Sequence, residues 1–135
     1  MSHTVTLAVD LPAKPGRLYD MYIDPTLHAA FTGAAVTIAA RAGAPFEAFG
    51  GALSGTILQV VPKRLIVQSW RSTNFGKRDI DSTLVLTFLP QGGGGRIELT
   101  HVNVSEQDFG GVSDGWAKYY FVPWRAYLQK KNIAA

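Results

Sequence analysis

The sequence predicts an α+β fold of the form β-α-α-β(5-6)-α, a curved antiparallel sheet wrapped around a long C-terminal helix. Three observations carry that expectation. Between Val36 and Val104 the chain reads as strand after strand, with apolar and polar residues alternating clearly in two stretches, which is the period of half-buried strands. The connections between those stretches are short and turn-like, whereas a parallel crossover needs a dozen residues or more. From Asp114 onward the apolar period changes from two to 3.6, that of an amphipathic helix.

Taken in order, Val5, Leu7, Val9 and Leu11 alternate with Thr6, Ala8 and Asp10 and read as the first strand. Pro12 and Pro15 punctuate, and Pro15 suits the first turn of a helix through Leu18, Tyr19, Tyr22 and Ile23. Asp24 precedes Pro25 and is therefore pushed out of helical geometry, so a second short helix is expected over Thr26 to Phe31. From Val36 to Val104 strands alternate with turn signals at Gly43-Ala44-Pro45, Gly50-Gly51, Pro62-Lys63-Arg64, Asn74 to Lys77 and Gly92 to Gly95. A meander follows. Leu84, Leu86 and Phe88 share one face of a strand, and Ile97, Leu99, His101 and Asn103 share one face of another.

The last element is DGWAKYYFVPWRAYL, Asp114 to Leu128, with two tryptophans, three tyrosines and a phenylalanine. At about 100° per residue from Trp116, the side chains of Tyr127, Tyr120, Trp124, Ala117, Leu128 and Phe121 fall within an arc of roughly 140°. Lys118, Arg125 and Gln129 lie opposite, and Tyr119 falls outside the arc. Pro123 removes one backbone bond and should kink this helix. The rings bury an aromatic ridge against the sheet, each worth on the order of 2 kcal/mol, and they also suit the wall of a ligand chamber. Stacking on nucleic acid would need them exposed beside basic residues, and the basic residues occupy the other face.

Composition narrows the classes. A chain of 135 residues is the size of one domain with one core, and residues 1–135 read as such, without linker or repeat. Hydrophobic residues make up 47% and charged residues 17%, enough apolar content to exclude wholesale disorder. The net charge is +3, and the basic residues come in pairs rather than a stripe, so no nucleic-acid partner is expected. Cysteine is absent, which removes disulfides and thiolate chemistry and is compatible with a reducing cytoplasm. No apolar run reaches the length of a membrane span and no signal-peptide pattern opens the chain, so a soluble, unprocessed cytoplasmic protein is expected.

Motifs for catalysis or cofactors are sparse. Gly50 to Gly55 has a glycine-rich look, but Thr56-Ile57 stands where a phosphate loop requires Lys and then Ser or Thr. His3, His28 and His101 have no zinc-pair spacing, and no Gly-x-Ser-x-Gly elbow is present. No metal and no cofactor are expected, and no catalytic residue is assigned. His101 shares its face with Ile97 and Leu99 and so aims inward. There it is either a satisfied core histidine or a group that bonds a ligand or moves a proton. Trp70 and Arg71 are strand neighbours, only one of which can face inward, and Trp70 is the expected one.

The blocks MYIDPTLHAAFTG, GGALSGTILQVVPKRLIVQSWRS, LTHVNV and GWAKYYFVPW together resemble the family of activators of the Hsp90 ATPase, specifically their C-terminal domain and its bacterial single-domain homologues. The likeness runs from about Leu18 to Leu128. Its most specific parts are the stretch Gly55 to Trp70 and the Gly115-Trp116 pair opening the last helix. The resemblance implies the helix-grip fold of the birch-pollen-allergen-like (SRPBCC, START-like) superfamily, in which sheet and helix enclose a cavity. The separate N-terminal domain that makes the main chaperone contact in two-domain co-chaperones is not expected within these residues.

Three functional readings follow. The leading one is non-catalytic binding of a small hydrophobic or aromatic molecule in a chamber lined by Trp70, His101, Asn103, Trp116, Tyr120 and Trp124. The second, implied by the resemblance, is a module that partners an Hsp90-type chaperone through the Ala30 to Ala35 segment or the basic face with Lys118 and Arg125. The third is an enzyme using His101 with an inward carboxylate, as in some cyclases and hydrolases of the superfamily. Glu98, however, should face away from His101.

Overall fold

The structure, a computed structural model, describes residues Ser2–Ala134. Strand β1 (Ser2–Leu11) is followed by helices α1 (Pro15–Ile23) and α2 (Pro25–Thr32). Six strands come next: β2 (Val36–Thr37), β3 (Pro45–Ala48), β4 (Leu53–Val61), β5 (Leu65–Ser72), β6 (Ser82–Gln91) and β7 (Gly94–Ser105). The chain ends in a long helix in three parts, α3 (Phe109–Gly115), a π-helical stretch Trp116–Phe121, and α4 (Val122–Ala134). The strands form one antiparallel sheet in the order β1-β7-β6-β5-β4-β3-β2. This is the expected α+β, helix-grip arrangement: a curved meander with the first strand returned beside the last.

Local chemistry accounts for the boundaries. Pro15 and Pro25 open the two short helices, whose fixed φ suits a first turn. Asp24 sits extended between them at φ −90° and ψ 123° and accepts a hydrogen bond from the Leu27 N–H, so it ends one helix and caps the next. Gly33 closes α2 in the left-handed region at φ 79°. The β6–β7 turn is confined to Gly92-Gly93, because Gly94 and Gly95 already belong to the strand ladder. A Cβ on Gly95 would lie 2.6 Å from the Ala13 carbonyl oxygen. That tight approach, rather than loop flexibility, explains those two glycines.

The final helix shows what Pro123 does to its backbone. It starts at Phe109, ahead of the Gly115-Trp116 pair, and Pro123 is accommodated by a widened turn. The N–H of Val122 bonds the carbonyl of Ala117, five residues back. Pro123 has no N–H to offer Tyr119 and its ring crowds that carbonyl, so the turn before it opens by one residue. The extra residue changes the phase. Tyr120 and Phe121, though adjacent, are both buried, while Ala117 is exposed.

The core lies between the inner face of the sheet and this helix. Ile66, Leu84, Leu86, Phe88, Ile97 and Leu99 are buried on the sheet side, and Trp116, Tyr120, Trp124 and Leu128 on the helix side. The aromatic ridge does not rest on the sheet alone. Trp124 stacks on Phe31 of α2, with ring centres 4.3 Å apart, and its N–H points at the Met21 sulfur of α1. Lys118, Arg125 and Gln129 face outward, and Tyr119 is about half exposed, as the sequence predicts.

Candidate functional site

A cleft of about 510 Å³ opens between the upstream half of the terminal helix and the β3–β5 end of the sheet. Phe49, Ala52 and Leu53 form one side, and Trp70, Ser72, Thr73 and Asn74 at the end of β5 form another. The helix side supplies Asp108, Gly111, Val112, Gly115, Trp116, Tyr119 and Tyr120. Most of the wall is aromatic or aliphatic, with a few polar groups at one end, the usual make-up of a small-ligand site.

Each wall has a local cause. On β5 the residues Ile66, Gln68, Trp70 and Ser72 alternate inward, so Trp70 faces the core and Arg71 turns away. Arg71 instead ties the β5–β6 connection together, donating to the carbonyls of Gly76 and Asp79 at 2.6 Å each and pairing with Asp81 at 3.1 Å. Phe49 holds a left-handed φ of 53°, followed by Gly50 at 66° and Gly51 at 91°. This turn brings the Phe49 ring to 6.0 Å from both Tyr119 and Tyr120. A left-handed aromatic residue is an unfavourable backbone choice, and here it completes the rim of the cleft.

Behind the cleft lie two chains of hydrogen bonds, each centred on a buried histidine. His101 is fully buried, with Nε2 2.7 Å from the Ser82 hydroxyl and Nδ1 3.3 Å from the Trp116 indole nitrogen. The indole can only donate, so Nδ1 accepts. Ser82 spends its single proton on the Trp70 carbonyl at 2.6 Å, so Nε2 carries the proton and donates to the hydroxyl oxygen. One neutral tautomer satisfies every partner. Burial pulls the His101 pKa down from 6.5 to about 4.

His28, on α2, has the opposite tautomer. Its Nδ1 lies 2.7 Å from the Tyr22 carbonyl and must donate, so its Nε2 accepts from the Tyr120 hydroxyl at 2.9 Å. The Tyr22 hydroxyl in turn donates to the Gln68 carbonyl oxygen at 2.7 Å. Burial lowers the His28 pKa to about 4, opposed by its bond to the Tyr22 carbonyl. Burial likewise pushes the Tyr120 and Tyr22 hydroxyls up. The Gln68 amide and the Trp70 indole N–H are buried donors without a partner.

At the polar end, Asp108 is only 7% exposed. Ser72 donates to one of its oxygens at 2.5 Å, and Asn74 donates to the other at 3.2 Å.

Of the residues singled out from the sequence, Trp70, Trp116 and Tyr120 come together on the cleft wall. His101 stands behind Trp70 and Trp116, edge-on to Trp70 at 4.7 Å, and does not line the cleft. Trp124 is packed into the helical side of the core, one helix turn beyond Tyr120. Asn103 is a correction. It adopts φ 61°, β7 bulges against β1 there, and the inward place passes to Val104. The Asn103 amide donates to the Asp81 carbonyl at 3.3 Å on the exposed side. A left-handed residue inserted in a strand reverses the alternation beyond it. Phe49, His28 and Asp108 are site residues that sequence reasoning did not single out. Among the described residues, no group of three or more His, Cys, Asp or Glu side chains could hold a metal ion. No described helix is long and apolar enough to cross a membrane.

Comparison with known proteins places this geometry among relatives. A family profile described as "Activator of Hsp90 ATPase homolog 1-like protein" matches residues 12–129. The human "Activator of 90 kDa heat shock protein ATPase homolog 1" is 28% identical over 117 residues, 87% of this chain and 34% of that protein. The chain thus spans about a third of the length of the curated relatives it matches. The crystal structure of an HSP90 activator from Plasmodium falciparum superposes with a TM-score of 0.83 at 17% identity, covering 93% of this chain and 96% of that one. The solution structure of the Aha1 dimer from Colwellia psychrerythraea gives 0.79 at 12% identity, with the same coverage of 93% and 96%. At such identities these two structures establish the fold alone.

Proposed function

This chain belongs to the family of activator of Hsp90 ATPase homolog 1-like proteins, and on that premise we propose that it binds a small apolar or aromatic molecule, without transforming it, in the cleft bounded by Trp70, Trp116 and Tyr120. The observation that carries the reading is the cleft itself, about 510 Å³ with a mainly aromatic wall, within the usual size of small-molecule sites. The rigid support of that wall fits binding: Trp116 is pinned by His101 and Tyr120 by His28. His101 offers no acid or base to a bound molecule, because both of its ring nitrogens are engaged. The cytoplasm is the compartment that goes with this reading, given a sequence without cysteine.

The test is a thermal-shift and tryptophan-fluorescence screen with neutral, cationic and anionic aromatic and aliphatic compounds. A ligand of the native form raises the melting temperature by mass action. Saturable binding that disappears in Ala52→Phe, which fills the cleft, supports the reading. Absence of any saturable response across the screen overturns it.

A second reading, partnership with an Hsp90-type chaperone, is favoured by the family match and the curated relatives. The exposed helix face carrying Lys118 is the surface to test, by charge reversal at that residue. Addition of the purified protein should change the ATPase rate of a bacterial Hsp90-type chaperone at low salt, and an unchanged rate would remove this reading.

A further inference from the structure

We propose that the molecule taken up by the cleft is a cation: an alkyl- or aryl-ammonium whose apolar body lies along the rings and whose charged head meets Asp108. This rests on reading the cleft as a ligand site and names the class of ligand.

Among the described residues, Asp108 is the one charged side chain lining the cleft. It is nearly buried, and the two groups that bond it, the Ser72 hydroxyl and the Asn74 amide, carry no charge. Among the described residues no Lys, Arg or His pairs with it. A carboxylate has about four acceptor positions, and Ser72 and Asn74 each fill one. An enclosed carboxylate without a cationic partner is an unfavourable arrangement, and an incoming cation relieves it. Gly111, one turn on, makes room for it, since a Cβ there would lie 2.7 Å from the Asp108 Oδ1. Ser72 and Asn74 hold the carboxylate at the cleft wall.

The rest of the wall has the same preference. Phe49, Trp70, Trp116, Tyr119 and Tyr120 present five rings, whose negative faces attract ammonium groups. One of them already does so on this molecule: the Lys118 Nζ lies 5.3 Å from the centre of the Tyr119 ring, although Lys118 does not line the cleft. Carboxylate and rings thus both favour a cation over an anionic acid of the same shape.

The experiment compares three probes of similar size: 3-phenylpropylammonium, 3-phenylpropan-1-ol and 3-phenylpropionate. Affinities are taken from the shifts of the tryptophan indole signals in ¹H–¹⁵N spectra. The ammonium should bind at least about tenfold more tightly than the alcohol, and the propionate most weakly. In Asp108→Asn the ammonium-to-alcohol ratio should fall toward one. In the unsubstituted protein, added sodium chloride should weaken the ammonium and leave the alcohol alone, a readout independent of the variant's folding. Equal binding of ammonium and alcohol, tightest binding of the propionate, or a ratio that neither Asp108→Asn nor salt alters would overturn the inference while leaving the cleft a ligand site. If no probe of any charge shifts an indole signal, the ligand-site reading fails and takes this one with it.

Discussion

Acidification should destabilise this protein through two buried histidines, and the size of the effect can be worked from their surroundings. His28 and His101 are neutral, fully bonded and held in the fold at a pKa of about 4, against an ordinary value of 6.5. Between those values the unfolded chain binds protons that the folded chain refuses, so stability rises with pH across the interval. The contribution is complete above pH 6.5 and is lost as pH falls toward 4. At about 1.4 kcal/mol per pH unit, each histidine accounts for roughly 3 kcal/mol by pH 4 and about 2 kcal/mol by pH 5. Two such groups remove a large share of the roughly 5–15 kcal/mol typical of a domain. Asp79, lowered below 3.8 chiefly by the Ser105 hydroxyl and then by the Gly76 N–H, acts in a lower window. The assay is urea unfolding, followed by tryptophan fluorescence at constant ionic strength from pH 7.5 to 4.5. Between pH 5 and 6 the slope should approach about two protons, and in His101→Asn about one. Stability that stays flat from pH 7 to 5, or a variant that keeps the full slope, would refute the assignment of both rings as buried and neutral.

Three further outcomes are expected. Gly55→Ala should lower stability by about 3 kcal/mol or more, seen as a lower melting temperature, because its Cβ would lie 1.9 Å from the Ser69 carbonyl oxygen on the neighbouring strand; Gly93→Ala, with open space around it, should be nearly neutral. Tyr120→Phe should cost about 1–3 kcal/mol in urea unfolding by leaving the His28 Nε2 without its donor. Asn103→Val should cost about 1–2 kcal/mol, whereas Asn103→Gly should be tolerated, since the bulge needs a left-handed φ.

Much of the fold was legible because its signals are local. Pro15, Asp24-Pro25 and the alternations at Leu84 to Phe88 and Ile97 to His101 each act within a few residues. Periodicity alone could not place Trp70, since Leu65 to Ser72 is apolar on both faces; the choice rested on Trp70 and Arg71 facing opposite ways, and the ring is the one turned inward. The errors arose where one residue changed a period. Asn103, in left-handed geometry, reversed the face of β7, and Pro123 widened a turn, which put Ala117 outside the buried arc. The cleft was only half legible, for a different reason. Its aromatic helix face is a periodic feature, but Phe49 arrives through an unusual turn, and His28 acquires its role from Tyr120, 92 residues away. Asp108 sits in a short non-periodic turn, and nothing in its neighbours along the chain announces that Ser72 and Asn74 will hold it.

The widened turn ahead of Pro123 divides the labour of the last helix. Trp116 and Tyr120 brace its upstream part through the two histidines, whereas Trp124 bolts the downstream part to the pair of short helices. The missing rung at the turn is thus flanked by anchors on both sides, the histidines upstream and Phe31 with Met21 downstream, so the helix keeps its place without a continuous backbone ladder.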